Sequence, residues 1–114
     1  MAGLKLTPEV LRAAYAYLDE TQPFAAWNLP DPDDVKFVVT SDAAVQGYAA
    51  RNPFEIGISR RLVGSTDTLM FIMAHEMVHF HADRAKERNP HGPMFRRAAK
   101  QVCDVHLFDI KNFI

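Results

Sequence analysis

The sequence predicts an α+β fold in which one helix is followed by three strands and then by two further helices. Three observations support this prediction. Apolar residues recur at helical spacing in three segments. Three short runs rich in β-branched and aromatic residues lie between the first and second of these segments. The 114 residues, 48% of them hydrophobic, suit a single domain over residues 1–114 that buries its own core, and Cys103 is the only cysteine.

The first helix is predicted to begin after Thr7, whose hydroxyl can cap it, and to run to about Glu20. Its apolar positions recur every three or four residues at Val10, Leu11, Ala14, Tyr15 and Leu18. Residues 21–34 contain three prolines and four aspartate or asparagine side chains, which indicates a loop. We expect Phe24 and Trp27 to anchor this loop to the body, since large aromatic side chains bury much surface.

Three strands are predicted at residues 35–40, 45–50 and 54–59. In the third, Phe54, Ile56 and Ile58 alternate with smaller or polar residues, so one face should be buried. Short connections favour antiparallel pairing, and we therefore expect a three-stranded, mainly antiparallel sheet. The third strand is the candidate edge along which an extended peptide could add.

A long helix is predicted from Ser65, a capping residue, to about Glu87. Its apolar stripe is formed by Leu69, Ile72, Met73, Met77 and Phe80. Asn89-Pro90 ends it, and Gly92-Pro93 opens the last helix. The tail over residues 105–114 is apolar enough to pack, and its conformation stays open.

The long helix carries the pattern His75-Glu76-Met77-Val78-His79. Residues four apart lie about 40° apart around a helix, one turn further along, so both imidazoles can reach one zinc ion from the same face. Glu76 lies beside that face, where it can accept a proton from the attacking water. Histidine nitrogens are ordinary zinc ligands, and a catalytic site keeps one position open for water.

A third protein ligand is expected, and His81, His91 and His106 are the candidates. His81 lies two residues past His79, hence on nearly the opposite side of the helix, which suggests a surface or packing histidine. His106 has no predicted partner and is expected to be exposed to solvent. His91 follows the helix break, and Gly92 beside it permits a tight return of the chain toward the metal.

These motifs resemble those of the SprT-like zinc metalloproteases. The resemblance rests on His75-Glu76-Met77-Val78-His79 and on His91-Gly92-Pro93-Met94-Phe95, which is similar to the family's H-G-x-x-F motif. It implies a zincin-like domain, Zn²⁺ bound by His75, His79 and His91, Glu76 as catalytic base, and protein substrates. Members commonly continue into a Cys-rich zinc ribbon or a DNA-binding segment. With one cysteine, this sequence is expected to be a minimal catalytic domain.

Two alternatives to this function stay open. One is a metal-binding regulatory or interaction module with little activity, in which Glu76 would be dispensable. The other is a regulator-specific protease like those of the ImmA/IrrE family, which share H-E-x-x-H but use a different third ligand. Tyr48 and Arg51 are candidates for stabilising the oxyanion. Glu55 could orient a histidine, although a surface charge is the simpler interpretation.

Charge limits the possible partners. The net charge of −1 argues against bulk binding of nucleic acid, and no apolar stretch is long enough to span a membrane. Without a recognisable signal peptide, a cytoplasmic location is expected. Residues 84–100 nevertheless contain a cluster of six basic residues, namely Arg84, Lys86, Arg88, Arg96, Arg97 and Lys100. They predict either a solvated helix face or weak, phosphate-directed binding of DNA.

Overall fold

Capping side chains begin the first two helices, as the sequence predicts. The computed structural model describes residues 4–83 and 90–114. The Thr7 hydroxyl accepts a hydrogen bond from the Val10 amide at the start of α1, and the Ser65 hydroxyl accepts one from Thr68 at the start of α2. The elements in chain order are α1 (Pro8–Asp19), β1 (Lys36–Thr40), β2 (Gly47–Ala50), β3 (Glu55–Ser59), α2 (Thr66–Ala82), α3 (Pro93–His106) and α4 (Ile110–Phe113). The α+β prediction is therefore confirmed.

The three strands form a mixed sheet in the order β1-β3-β2. Strand β2 pairs with β3 antiparallel, as expected, whereas β1 pairs with β3 in parallel. The expectation that β3 lies at an edge is wrong. Strand β3 pairs with β1 along one edge and with β2 along the other, and its Ile56 and Ile58 are completely buried. The edges are therefore β1 and β2.

The outer face of the sheet is covered by the ring of Tyr48. Tyr48 stands opposite Gly57 in the β2–β3 register, and its hydroxyl donates a hydrogen bond to the Glu55 carboxylate. A Cβ on Gly57 would come within 2.0 Å of the Tyr48 ring. Glycine is thus required at this position because the ring occupies the space of a side chain.

Replacing Gly57 with alanine is expected to lower the free energy of unfolding by about 1–3 kcal/mol, because the Tyr48 ring must leave its place. Gly64→Ala is the matched control, since a Cβ on Gly64 has no neighbour within 4 Å, and a change within about 0.5 kcal/mol is expected. Urea denaturation of both variants gives their free energies of unfolding. Equal stability of the two variants would contradict this role of Gly57.

The long loop is anchored by its aromatic residues, as predicted. Phe24 is buried and meets the Trp27 ring edge to face at 5.3 Å between centroids. Trp27 in turn stacks on His81 of α2 at 4.1 Å. The hydroxyl of buried Tyr15 donates to the Pro30 carbonyl oxygen at 2.6 Å, which joins α1 to the same loop. These contacts attach the loop to helices α1 and α2.

The segment that the sequence leaves open, residues 105–114, is helical at both ends. Helix α3 ends at His106, Leu107 adopts a left-handed conformation with φ of 61°, and α4 follows. Phe113 is only 1% exposed, so α4 is packed into the core. None of the helices in residues 4–83 and 90–114 combines the length and apolar character needed to cross a bilayer.

Candidate metal centre

Helix α2 presents His75 and His79 on one face, as the four-residue spacing predicts. Their ring centroids are 5.1 Å apart. The opposite side of α2 is anchored in the core by Met73, Met77 and Phe80, each at most 1% exposed. Because the helix is held on that side, the two imidazoles have a defined direction.

His91 reaches this face from the turn that precedes α3. Its Nε2 atom lies 3.2 Å from the Nε2 atom of His79. One ring nitrogen from each of His75, His79 and His91 lies within 4.8 Å of the others. Ligand atoms around a tetrahedral zinc ion, each about 2.0–2.1 Å from the metal, lie roughly 3.3 Å apart. The three histidines can therefore hold one metal ion.

The outer nitrogens of the two helical histidines face acceptors. His75 Nδ1 lies 2.5 Å from the Phe113 carbonyl oxygen of α4. His79 Nδ1 lies 3.7 Å from a carboxylate oxygen of Asp83, one turn along the chain. A proton held on Nδ1 leaves Nε2 as the lone-pair donor, which is how proteins orient metal-binding histidines.

Burial keeps the helical histidines neutral. It lowers the pKa of His75 to about 4, despite the opposing effect of the bond to Phe113. It also lowers the pKa of His79 to about 4, with His91 as a second cause. The Phe95 ring, 4.6 Å from His79 and 5.1 Å from His75 between centroids, supplies part of this apolar surrounding. Neutral imidazole is the form that binds a metal ion.

Glu76 is buried beside the cluster, with 6% of its surface exposed. Burial, and then the nearby charge of Asp83, raises the pKa of Glu76 to about 7. A carboxyl group that titrates near neutrality can both accept and return a proton at that pH. This property is what a general base in hydrolysis needs.

Replacing Glu76 with glutamine is expected to stabilise the metal-free protein at pH 8. The pKa of Glu76 is raised in the folded state from 4.5 to about 7, so the folded protein bears an unfavourable buried charge above pH 7 and none below pH 4.5. The variant should gain on the order of 3 kcal/mol over wild type at pH 8 and little at pH 5. Urea denaturation with a chelator present gives the difference in the free energy of unfolding at each pH. A pH-independent difference would contradict the raised pKa.

A cleft runs between the β2 edge and α2, on both sides of His75 and Glu76. One cavity of about 220 Å³ is walled by Phe71, Ile72 and residues 112–114. Another of about 370 Å³ extends past His79 and His91 to Asp83. Gly47 lines both, and a Cβ there would lie 2.9 Å from the Gly57 carbonyl oxygen and 3.1 Å from Ile72. A glycine at this position lets β2 approach the helix closely.

Arg51, Glu55 and the Tyr48 hydroxyl each have partners other than the three histidines. Tyr48 and Glu55 bond to each other on the outer face of the sheet. The Arg51 guanidinium lies over the Phe54 ring at 5.3 Å and donates to the Phe80 carbonyl oxygen. The tyrosine and arginine therefore have structural partners, and the simpler interpretation of Glu55 as a surface charge fits its position.

The other two histidines are outside the cluster. His81 packs against Trp27, in agreement with its predicted packing role. The expectation that His106 is exposed is wrong, because it is half-buried and its Nε2 lies 3.0 Å from the Thr21 hydroxyl. Cys103 is a buried thiol, as predicted. Sequence reasoning missed Asp83, which the spacing of four from His79 could have revealed, and Phe113, for which no local signal exists.

Half of the predicted basic cluster can be placed. Arg84, Lys86 and Arg88 lie outside the described residues. Arg96, Arg97 and Lys100 are exposed on α3. Lys100 is paired with Asp104 at 2.9 Å, and the Arg96 side chain donates to the His91 carbonyl oxygen. Binding of DNA by this segment stays a prediction.

The chain resembles one known family along nearly its whole length. The model of the SprT-like family matches residues 14–112, which include α2, His91 and most of α4. No curated protein matches the chain. The matched range contains every residue of the histidine cluster.

Proposed function

This chain belongs to the SprT-like family, and from that premise we propose that it is a zinc-dependent metallopeptidase that hydrolyses peptide bonds of protein substrates. It is a metalloprotease-like domain with three histidines that can hold a metal ion. The observation that carries the proposal is the buried Glu76 carboxyl group beside that cluster, with its pKa raised to about 7.

The donor set favours zinc. Three imidazole nitrogens suit a borderline metal ion, and three protein ligands leave a fourth position for water or substrate. When bound, zinc supplies a Lewis acid that polarises a peptide carbonyl and makes water a stronger acid. His75, His79 and His91 are the proposed ligands.

Glu76 performs the proton transfers in this mechanism. Its carboxylate accepts a proton from the water that attacks the peptide carbonyl carbon, and the carboxyl group later gives that proton to the departing amine. In the metal-free protein, burial raises the pKa of Glu76 to about 7, so its carboxyl group can accept and return a proton near neutral pH.

Within residues 4–83 and 90–114, no strand pairs with the outer edge of β2, which offers a place for the substrate backbone. The Ser59 amide donates to the Gln46 carbonyl oxygen, and the register then makes Tyr48–Gly57 the next hydrogen-bonded pair. The peptide groups of Gly47 and Ala49 consequently point away from β3, on the side of the cleft. An extended substrate can add to them as a fourth strand and cross above Glu76. The outer edge of β2, and not β3, is therefore the proposed substrate-binding edge.

The test is hydrolysis of an unfolded protein by the zinc-loaded chain, with Glu76→Gln as the inactive counterpart. Zinc binding without turnover would favour the alternative of a regulatory or interaction module. Zinc binding without participation of His91 would favour an ImmA/IrrE-like arrangement. Proteins associated with DNA stay a candidate substrate class, and the basic residues at positions 84–100 are the reason for retaining it.

A further inference from the structure

Helix α4 is packed directly behind the histidine cluster. The Phe113 side chain lies among the rings of Phe71, Phe108 and His75, with centroids 5.4, 5.8 and 5.5 Å away. Only 1% of Phe113 is exposed. The ring therefore anchors the last turn of α4 against α2 at the level of His75.

The backbone of this turn is also fixed. The Asp109 carboxylate caps α4 by accepting a hydrogen bond from the Lys111 amide at 3.0 Å, and the Phe113 amide donates to the Asp109 carbonyl oxygen at 3.0 Å. The last carbonyl groups of a helix have no donor within it. The Phe113 carbonyl oxygen is thus available to His75, and it lies 2.5 Å from Nδ1.

We propose that Phe113 is a positioning residue for His75: its carbonyl oxygen holds the Nδ1 proton, so that Nε2 faces the point where the nitrogens of His79 and His91 converge. The inference rests on the proposed metal site. Without this acceptor, the ring could turn about its side-chain bond or carry its proton on Nε2, where no lone pair would remain for the metal. Loss of such an outer contact typically weakens metal binding 10–100-fold.

The experiment compares Phe113→Ala with two other variants of the full chain. Phe108→Ala is the control, because it removes a ring of the same aromatic cluster that packs against Phe71, His106 and Phe113. Phe113→Leu is the conservative variant, which keeps an apolar anchor for the turn. Zinc affinity is measured by competition with a chromophoric chelator. The tautomer of His75 in the metal-free protein is read from its ¹⁵N imidazole shifts.

In the wild type, His75 should carry its proton on Nδ1. Phe113→Ala should mix the two tautomers and weaken zinc binding about 10–100-fold. Phe108→Ala should keep the tautomer and bind zinc within about threefold of wild type, less than the loss of an orienting contact. Phe113→Leu should restore most of the affinity that Phe113→Ala loses.

A proton on Nε2 of His75 in the metal-free wild type would overturn the inference. So would equal zinc affinities and His75 spectra in Phe113→Ala and Phe108→Ala. If Phe113→Ala does not fold, the ¹⁵N imidazole shifts of the wild type and the zinc affinity of Phe113→Leu still test the inference. Failure of the proposed function is a separate outcome: it appears as a zinc-loaded wild type without peptidase activity, whatever the tautomer of His75.

Discussion

Replacing Glu76 with glutamine is expected to lower kcat on an unfolded protein substrate by about 10²–10⁴-fold while leaving zinc bound. The amide is nearly the same size as the carboxyl group but cannot accept the proton of the attacking water. Glu76 belongs to none of the three ligand positions, so the metal content should not change. Initial rates at neutral pH and metal analysis of the same preparation make the measurement.

Glu55→Gln is the matched control for this experiment. It makes the same chemical change on the outer face of the sheet, where Glu55 bonds to Tyr48, away from the cleft. Its activity should stay within about twofold of wild type, as expected for a surface change. Comparable rates for Glu76→Gln and wild type would reject the peptidase mechanism. The expected gain in stability of Glu76→Gln at pH 8 separates lost chemistry from lost folding.

Replacing His91 with alanine is expected to abolish stoichiometric zinc binding at micromolar metal. Two helical histidines remain, and zinc sites in proteins ordinarily need a third protein ligand. The loss should exceed the 10–100-fold effect of removing an outer contact. Zinc titration by calorimetry and metal analysis after desalting give the affinity and the stoichiometry, which should be one ion per chain for wild type.

The free energy of unfolding gives a second measurement of the effect of His91→Ala. A ligand at 100 times its Kd stabilises the folded state by about 2.7 kcal/mol. Zinc at that concentration should stabilise the wild type by this amount and leave His91→Ala nearly unaffected. His106→Ala is the control, since His106 pairs with Thr21 outside the cluster and should keep wild-type zinc binding. Unchanged affinity in His91→Ala would mean that another residue provides the third ligand.

Local features of the chain were enough to predict helices α1, α2 and α3, the loop anchors and the shared face of His75 and His79. The caps at Thr7 and Ser65 act within one helical turn, so their role can be predicted from neighbouring residues. The same holds for His75, Glu76 and His79, because the helix itself sets their relative directions. The burial of Phe24 follows from the large apolar surface of its side chain.

Strand order, by contrast, depended on contacts between distant segments. Short connections suggested antiparallel neighbours, but β3 lies between β1 and β2 and pairs in parallel with β1. The register places the ring of Tyr48, a candidate for stabilising the oxyanion, over Gly57. Pairing partners are not encoded in a strand's own residues, so the substrate edge could be identified only in the folded sheet.

The completed site is likewise a product of tertiary packing. The residue types around His91 made its return to α2 plausible, yet the 3.2 Å approach to His79 depends on how α3 packs against α2. The acceptor for His75 comes from Phe113, 38 positions along the chain, and is a backbone oxygen that every residue type possesses. No sequence pattern marks such an atom. Its position exists only because α4 is buried behind the histidines.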